Sequence, residues 1–354
     1  SESPGNPAVR SIRTVSLIVC GLVLLGSPVR AQVLQSSARA GSYWMVHDGG
    51  KTRLNGPEGA EMRIDLPPGA LLYDLEPTNT GGLAAGRMPT TDGSELLIIE
   101  GRHGETDLIS VPSRSGGKFR GQPVLLIDQD RLVGLVWAEG DGHDQLAIWA
   151  APWNEDRWGA PELVSPQGPG SQLAPVAAVL DDGSWLAVWP AFDGVDDEIR
   201  WSRRVGGEWS SPERVHDDNN VPDLTPDVIA IDGGALVVWS WFDGNDYRLR
   251  RAQLTQGVWS DAESFGERGS VDPGFIQAGD RIRLLYQTVA PATWTVLELD
   301  RNGVNRRQAV LLVETNDRPF LFAEEDNRAR LHWPELERRD QPAIDHRLEW
   351  HEQQ

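Results

Sequence analysis

Short apolar runs of about five residues, separated by Gly, Asp and Pro, recur along this chain from about residue 81 onward. In one stretch Val176-Ala177-Ala178-Val179-Leu180 leads into Asp181-Asp182-Gly183-Ser184 and then Trp185-Leu186-Ala187-Val188-Trp189. Runs of this length, rich in Val, Ile, Leu and Trp and joined by Asp-Gly turns, predict strands linked as hairpins. A third run is Glu198-Ile199-Arg200-Trp201, and a fourth starts at Trp209 and reaches Val215. No long helical period interrupts them, so the expected class is all-β.

The runs repeat as a unit. Trp137, Asp141, Gly142, Asp144 and Trp158 in one copy correspond to Trp189, Asp193, Gly194, Asp196 and Trp209 in the next, and to Trp239, Asp243, Gly244, Asp246 and Trp259 in a third. Pro123, Pro175, Pro226, Pro273 and Pro319 open successive copies at spacings of 52, 51, 47 and 46 residues. A fixed period in this range marks a stacked or radial array, and four strands per unit predict a propeller blade. The expected β-propeller has six blades, with seven or five as alternatives. Its repeats occupy residues 81–354, after a segment at 32–80 that supplies a closing strand or hairpin. Tyr43 to His47 is the stretch expected to complete the last blade, because sealing the ring removes two unpaired sheet edges. The strand-like runs between Met62 and Leu75 have no assigned place.

Composition adds an address. Arg10 and Arg13 precede an apolar stretch from Val15 to Leu25, followed by small residues ending at Ala31. This is the form of a secretory signal over residues 1–31, too short to span a membrane as a helix. The expected location is secreted or periplasmic, with no stable membrane insertion after cleavage. Cys20 lies inside that segment and is the chain's only cysteine, so disulfides and thiolate metal sites are not expected. The net charge of −20 becomes −22 without the first 31 residues, which carry three Arg and one Glu. Such a polyanion repels nucleic acid and favours cations or basic partners.

The in-step tryptophans fit packing between blades, each covering on the order of 200 Å², or platforms on which a sugar stacks. Trp185 and Trp241 lack an equivalent in every copy and are the better ligand-binding residues, since blade packing does not demand them. The Asp-Gly-x-Asp turns fall on the face that also carries the inter-blade loops, so Asp193, Asp196, Asp243 and Asp246 gather there with Asp217 and Asp218. Such Asp residues make turns through their own backbone, or they offer oxygens to Ca²⁺, for which Asp141, Asp144, Asp193, Asp196, Asp243 and Asp246 are the expected ligands.

The stretch Ser202-Arg203-Arg204-Val205-Gly206-Gly207-Glu208-Trp209 resembles the Asp-box of the sialidase-like (BNR-type) propeller superfamily, Ser-x-Asp-x-Gly-x-Thr-Trp, keeping its Ser, Gly and Trp. The resemblance covers roughly residues 81 to 350. Arg204 and Glu208 replace the Asp and Thr of the box, and the windows ending at Trp158 and Trp259 retain little but the Trp. For an active member it implies sialic-acid hydrolysis by an arginine triad, a Tyr nucleophile with a Glu, and an Asp acid/base. None of Tyr43, Tyr73, Tyr247 and Tyr286 lies in a matching context, and no catalytic set is assigned. The expectation is therefore a secreted, non-catalytic propeller binding a glycan or an extracellular protein on its acidic loop face. A divergent glycoside hydrolase or lyase is the alternative.

Overall fold

A computed structural model describes residues 32–35, 44–48, 51–55, 61–65, 69–78, 81–102, 105–111, 118–141 and 146–312, the last with breaks at 155, 167, 169, 218, 279, 280 and 291, then 320–323, 329–333, 344–347 and 351–352. Among these residues there is no helix, and the strands form seven antiparallel sheets. The expected signal segment lies outside them, and no described helix is long and apolar enough to cross a membrane.

Within each sheet the strands follow chain order as a meander. The copy that carries Trp189 runs Val176–Val179, Trp185–Phe192, Asp197–Val205 and Glu208–Trp209, with Glu213–Arg214 returning to pair with the third strand. The next copy repeats this with Asp223–Ile231, Gly234–Phe242, Tyr247–Thr255, Val258–Trp259 and Glu263–Phe265. The Asp-box-like segment is the tight hairpin between the third and fourth strands, where Arg204 pairs with Trp209. The equivalent pairs Trp153 with Trp158 and Leu254 with Trp259 show that the other copies keep the turn while losing its sequence.

The proline ladder has a backbone meaning. The residues just before four of the prolines, Gln122, Ala174, Thr225 and Asp272, all have positive φ, between 44° and 53°. A residue before proline ordinarily extends, and left-handed backbone costs a non-glycine residue about 1–2 kcal/mol. Register shifts at Gln122, Thr225 and Asp272 mark these three as bulges in the first strands, places where a strand bends and twists. Side chains of the preceding copy hold two of the four N–H groups: Gln122 accepts from Ala174 and Ser240 from Asp272.

Each core cluster is shared by two neighbouring sheets. Leu186, Val188 and Ile199 meet Val228, Val237 and Trp239, while Val136, Ile148 and Val164 meet Trp185, Ala187 and Trp189. Trp137, Trp189 and Trp239 are all 0% exposed, which places the in-step tryptophans in the packing between sheets.

The N-terminal part departs from expectation. Gln32–Gln35, Trp44–Asp48, Lys51–Asn55 and Glu61–Asp65 form a four-stranded sheet of their own, and among the described residues Trp44–Asp48 pairs within it and not with the final strands Phe320–Ala323, Ala329–Trp333 and Ile344–Arg347. Four short strands joined in sequence close only small loops, which costs less chain entropy than recruiting one strand to the far end of the chain. The unplaced runs are also resolved: Glu61–Asp65 ends this sheet, and Leu71–Thr78 begins the next, which continues through Gly81–Thr90, Gly93–Arg102 and Glu105–Ser110.

Candidate functional site

The framework tryptophans each need an acceptor for a buried indole N–H, and each copy solves this differently. Trp137 donates to Glu139 at 2.8 Å, Trp189 to Gln172 at 2.7 Å and Trp239 to Asp223 at 2.7 Å. Gln172 and Asp223 stand three residues before the repeat prolines and pair near the end of the second strand, with Ala191 and Trp241, beside the turns between second and third strands. In the copy that carries Trp239 this acceptor, like that of Trp137, is a carboxylate 0% exposed, and here it has further groups around it.

His216 comes from the loop joining the two sheets. Its ring stacks on Trp239 with centroids 5.2 Å apart and planes 8° from parallel, and its Nε2 lies 2.9 Å from Asp223 Oδ2. Its Nδ1 lies 2.6 Å from the backbone oxygen of Asp217, while Asn219 donates to Asp223 Oδ2 at 3.0 Å. Burial pulls the His216 pKa down, but the hydrogen bond and charge of Asp223, with the Asp217 oxygen and Glu198, carry it above its ordinary value.

Glu198 reaches the same place from the third strand of the preceding sheet. It is 0% exposed, and neither carboxylate oxygen has a hydrogen-bond partner. Burial first, then the charge of Asp223, pushes its pKa up to about 7. Glu198, His216 and Asp223 can offer three ligand atoms within 4.8 Å of one another, and Asp193, Asp196 and Glu198 form a second such group.

The acidic turns lie beside this cluster, and they do the work of turns. Asp193 Oδ1 accepts from the N–H of Val195 at 2.9 Å, and its Oδ2 pairs with Arg214 at 2.7 Å. Asp243 repeats the arrangement, accepting from Asn245 and Asp246 and pairing with Arg248 at 3.0 Å. These backbone bonds hold the Asp243 pKa down at about 2. Asp246 is 3.8 Å from Arg268, Asp196 is buried, and Asp141 and Asp217 are exposed. Asp144 and Asp218 lie outside the described residues. Of the described members of the expected Ca²⁺ set, the structure brings Asp193 and Asp196 together with Glu198, and Asp243 and Asp246 share one turn in the next copy.

The two tryptophans singled out as ligand platforms are covered. Trp185 is buried in the core between sheets, with the Arg204 guanidinium 4.5 Å above its ring and Trp209 at its edge. Arg250 sits 3.9 Å over the face of Trp241, which otherwise packs against the neighbouring core. Around the acidic turns the surface instead shows Phe192, Val195 at 71% exposure, and the Phe242–Tyr247 pair with centroids 5.2 Å apart.

Glu198 was not among the residues the sequence singled out. The signal that finds it is disagreement between copies: strand pairing aligns it with Ala147 and Arg248.

No family model and no curated protein matches this chain. Among solved structures it is similar to a prolyl endopeptidase chain at 14% identity and a TM-score of 0.50, over 92% of this chain and 50% of that one, so it spans half the length of that relative. A protein of unknown function from Dyadobacter fermentans matches at 12% identity and a TM-score of 0.49, over 85% of this chain and 88% of that one. A thermostable family-43 glycoside hydrolase matches at 12% identity and 0.42, over 68% and 96%. At these identities the likeness is one of fold alone, and that fold is all-β and propeller-like.

Proposed function

We propose that this chain is a secreted or periplasmic, non-catalytic propeller of seven blades that docks a basic segment of an extracellular protein on its acidic loop face. The observation that carries this reading is the excess of carboxylates over arginines at the junction of the sheets at 176–214 and 223–265: Arg214, Arg248 and Arg268 pair with Asp193, Asp243 and Asp246, while Asp197 and exposed Asp217 add further acid beside exposed Phe192 and Val195. A surface that joins apolar area to a net excess of negative charge suits a peptide of the opposite sign, steered by long-range attraction and seated by burial. For ring closure, support comes from the first strands. Gln32–Gln35 lies beside Leu71–Thr78 on one side and Phe320–Ala323 on the other.

A glycan in the same place loses its expected stacking platforms, since Trp185 is buried and Trp241 is faced by Arg250. Hydrolysis at the Glu198 and Asp223 carboxylates is disfavoured by their burial, because both are 0% exposed and a sugar ring needs open access to such a pair. The reading is tested by titrating the protein against lysine- and arginine-rich peptides at two salt concentrations and against a glycan array. Peptide binding that weakens as salt rises supports it. Glycan binding with no response to basic peptides contradicts it.

A further inference from the structure

The strongest feature left unexplained by docking lies beneath the loop face. Glu198 is a fully buried carboxylate with no hydrogen-bond partner on either oxygen. Burying a carboxylate with no hydrogen bond to either oxygen costs several kcal/mol, and Glu198 stands with His216 and Asp223 in a group whose ligand atoms could offset that cost by holding a cation. We propose that Glu198, His216 and Asp223 form a binding site for a divalent first-row transition metal ion, of which Zn²⁺ and Mn²⁺ are the natural examples. This goes beyond ligand docking, and it stands or falls independently of it.

The geometry suits such an ion. Nε2 of His216 and Oδ2 of Asp223 are 2.9 Å apart. Two ligands each about 2.1 Å from a metal and roughly 90° apart are about 3 Å from each other. Glu198 completes a set whose ligand atoms all lie within 4.8 Å. The outer contacts orient the ligands. The Asp217 backbone oxygen faces Nδ1 of His216, so that nitrogen carries hydrogen and Nε2, beside Asp223, is the nitrogen left to take an ion. Trp239 and Asn219 donate to Asp223, and the indole of Trp239 lies flat against the imidazole. Partners of this kind fix ring orientation and tautomer around metal ligands.

Chemistry also selects the class of ion. An imidazole nitrogen with two carboxylates matches transition ions, whereas Ca²⁺ takes six to eight oxygen ligands. The alternative group of Asp193, Asp196 and Glu198 is less suited, because Arg214 is 2.7 Å from Asp193 and places a fixed positive charge there. The chosen ligands come from the sheet at 176–214, the sheet at 223–265 and the loop between them, so a bound ion would tie the junction on which the loop face is built.

The test uses the full chain stripped with a chelator and dialysed, then melted with Zn²⁺, Mn²⁺, Ca²⁺ or Mg²⁺ added singly, with bound metal counted by mass spectrometry after gel filtration. The expected result is one Zn²⁺ or Mn²⁺ per chain and a midpoint raised by about 5 °C at a hundredfold excess over Kd. Glu198→Gln and His216→Ala should each abolish stoichiometric binding and the shift. Glu198→Gln in chelator should melt no lower than the stripped wild type, since it removes an unpartnered buried charge and breaks no hydrogen bond. The proposal is overturned by a wild type that neither retains nor responds to Zn²⁺ or Mn²⁺, or by variants that respond as the wild type does. A response to Ca²⁺ that survives Glu198→Gln also overturns it. Basic-peptide binding measured on the same stripped protein reports on the docking surface separately.

Discussion

Asp74 and Asp227 hold the same post in two different copies of the repeat. Asp74 accepts the N–H of its own neighbour Leu75 at 2.9 Å and that of Leu125, in the next sheet, at 2.7 Å. Asp227 does likewise with Val228 at 2.8 Å and with Phe275, again in the next sheet, at 2.6 Å. Each carboxylate thus stitches the first strand of one sheet to the first strand of its successor.

This relationship has a pH signature. Burial raises the Asp74 pKa to about 6, the two backbone N–H groups pull it down, and the charge of Asp227 adds to the rise. A carboxyl whose folded pKa exceeds its ordinary value of 3.8 favours folding when protonated. Its contribution is therefore full below that value and is lost as pH rises through about 6. Stability should increase on going from pH 7 to pH 5, with Asp74 contributing about 1 kcal/mol, and Asp74→Asn should reduce the slope by that amount. Urea unfolding at a series of pH values reads both. A wild-type profile flat or falling towards pH 5 would count against the assignment.

Trp185 packs in the core between sheets, and Gly134 is the position that meets its ring. A Cβ added at Gly134 would lie 2.4 Å from the Trp185 ring. Gly134→Ala should cost about 1–3 kcal/mol through overpacking, and shrinking the indole in Gly134→Ala/Trp185→Leu should recover part of that loss. Additive losses in the double variant, by denaturant titration, would mean the two do not share one space.

The indole acceptors make a second packing test. Gln172 takes the Trp189 N–H at 2.7 Å, so Gln172→Leu leaves a buried donor unmatched and should cost about 1–3 kcal/mol. With Trp189→Phe already in place the donor is gone, and the same change should cost clearly less. Equal costs in both backgrounds would show that the bond contributes nothing.

How far this was legible in the chain follows from what each residue type encodes. Trp137, Trp189 and Trp239 announced the repeat because only a large residue fills the space between sheets, and a filler of fixed size recurs at fixed period. Pro123, Pro175, Pro226 and Pro273 marked the repeat without revealing the positive φ before them, since residues as unlike as Gln122 and Ala174 occupy that backbone. The sheet at 32–65 carries neither marker in step with the others, which hid it as a separate unit. The loop from His216 to Asp223 stood out by its acids. Glu198 did not, because within a strand an inward Glu and an outward Glu have the same local sequence, and only pairing with Ala191 fixes its face.

The loop-face claim makes a charge prediction as well. Asp217→Lys and Asp246→Lys together should weaken binding of a basic peptide at least tenfold at low salt and much less at high salt, since exposed charges act mainly through screened, long-range attraction. Neither change touches the packed tryptophans, so the melting midpoint should move little. A large drop in midpoint with unchanged affinity would reverse the interpretation.

Hydrogen–deuterium exchange with and without a bound basic peptide tests the central claim most directly. The account predicts slowed exchange at residues 193–198, 214–223 and 242–247, where the acidic turns and the connecting loop meet. Protection confined to the opposite hairpins, around 205–208 and 255–258, with the acidic face unchanged, would contradict it.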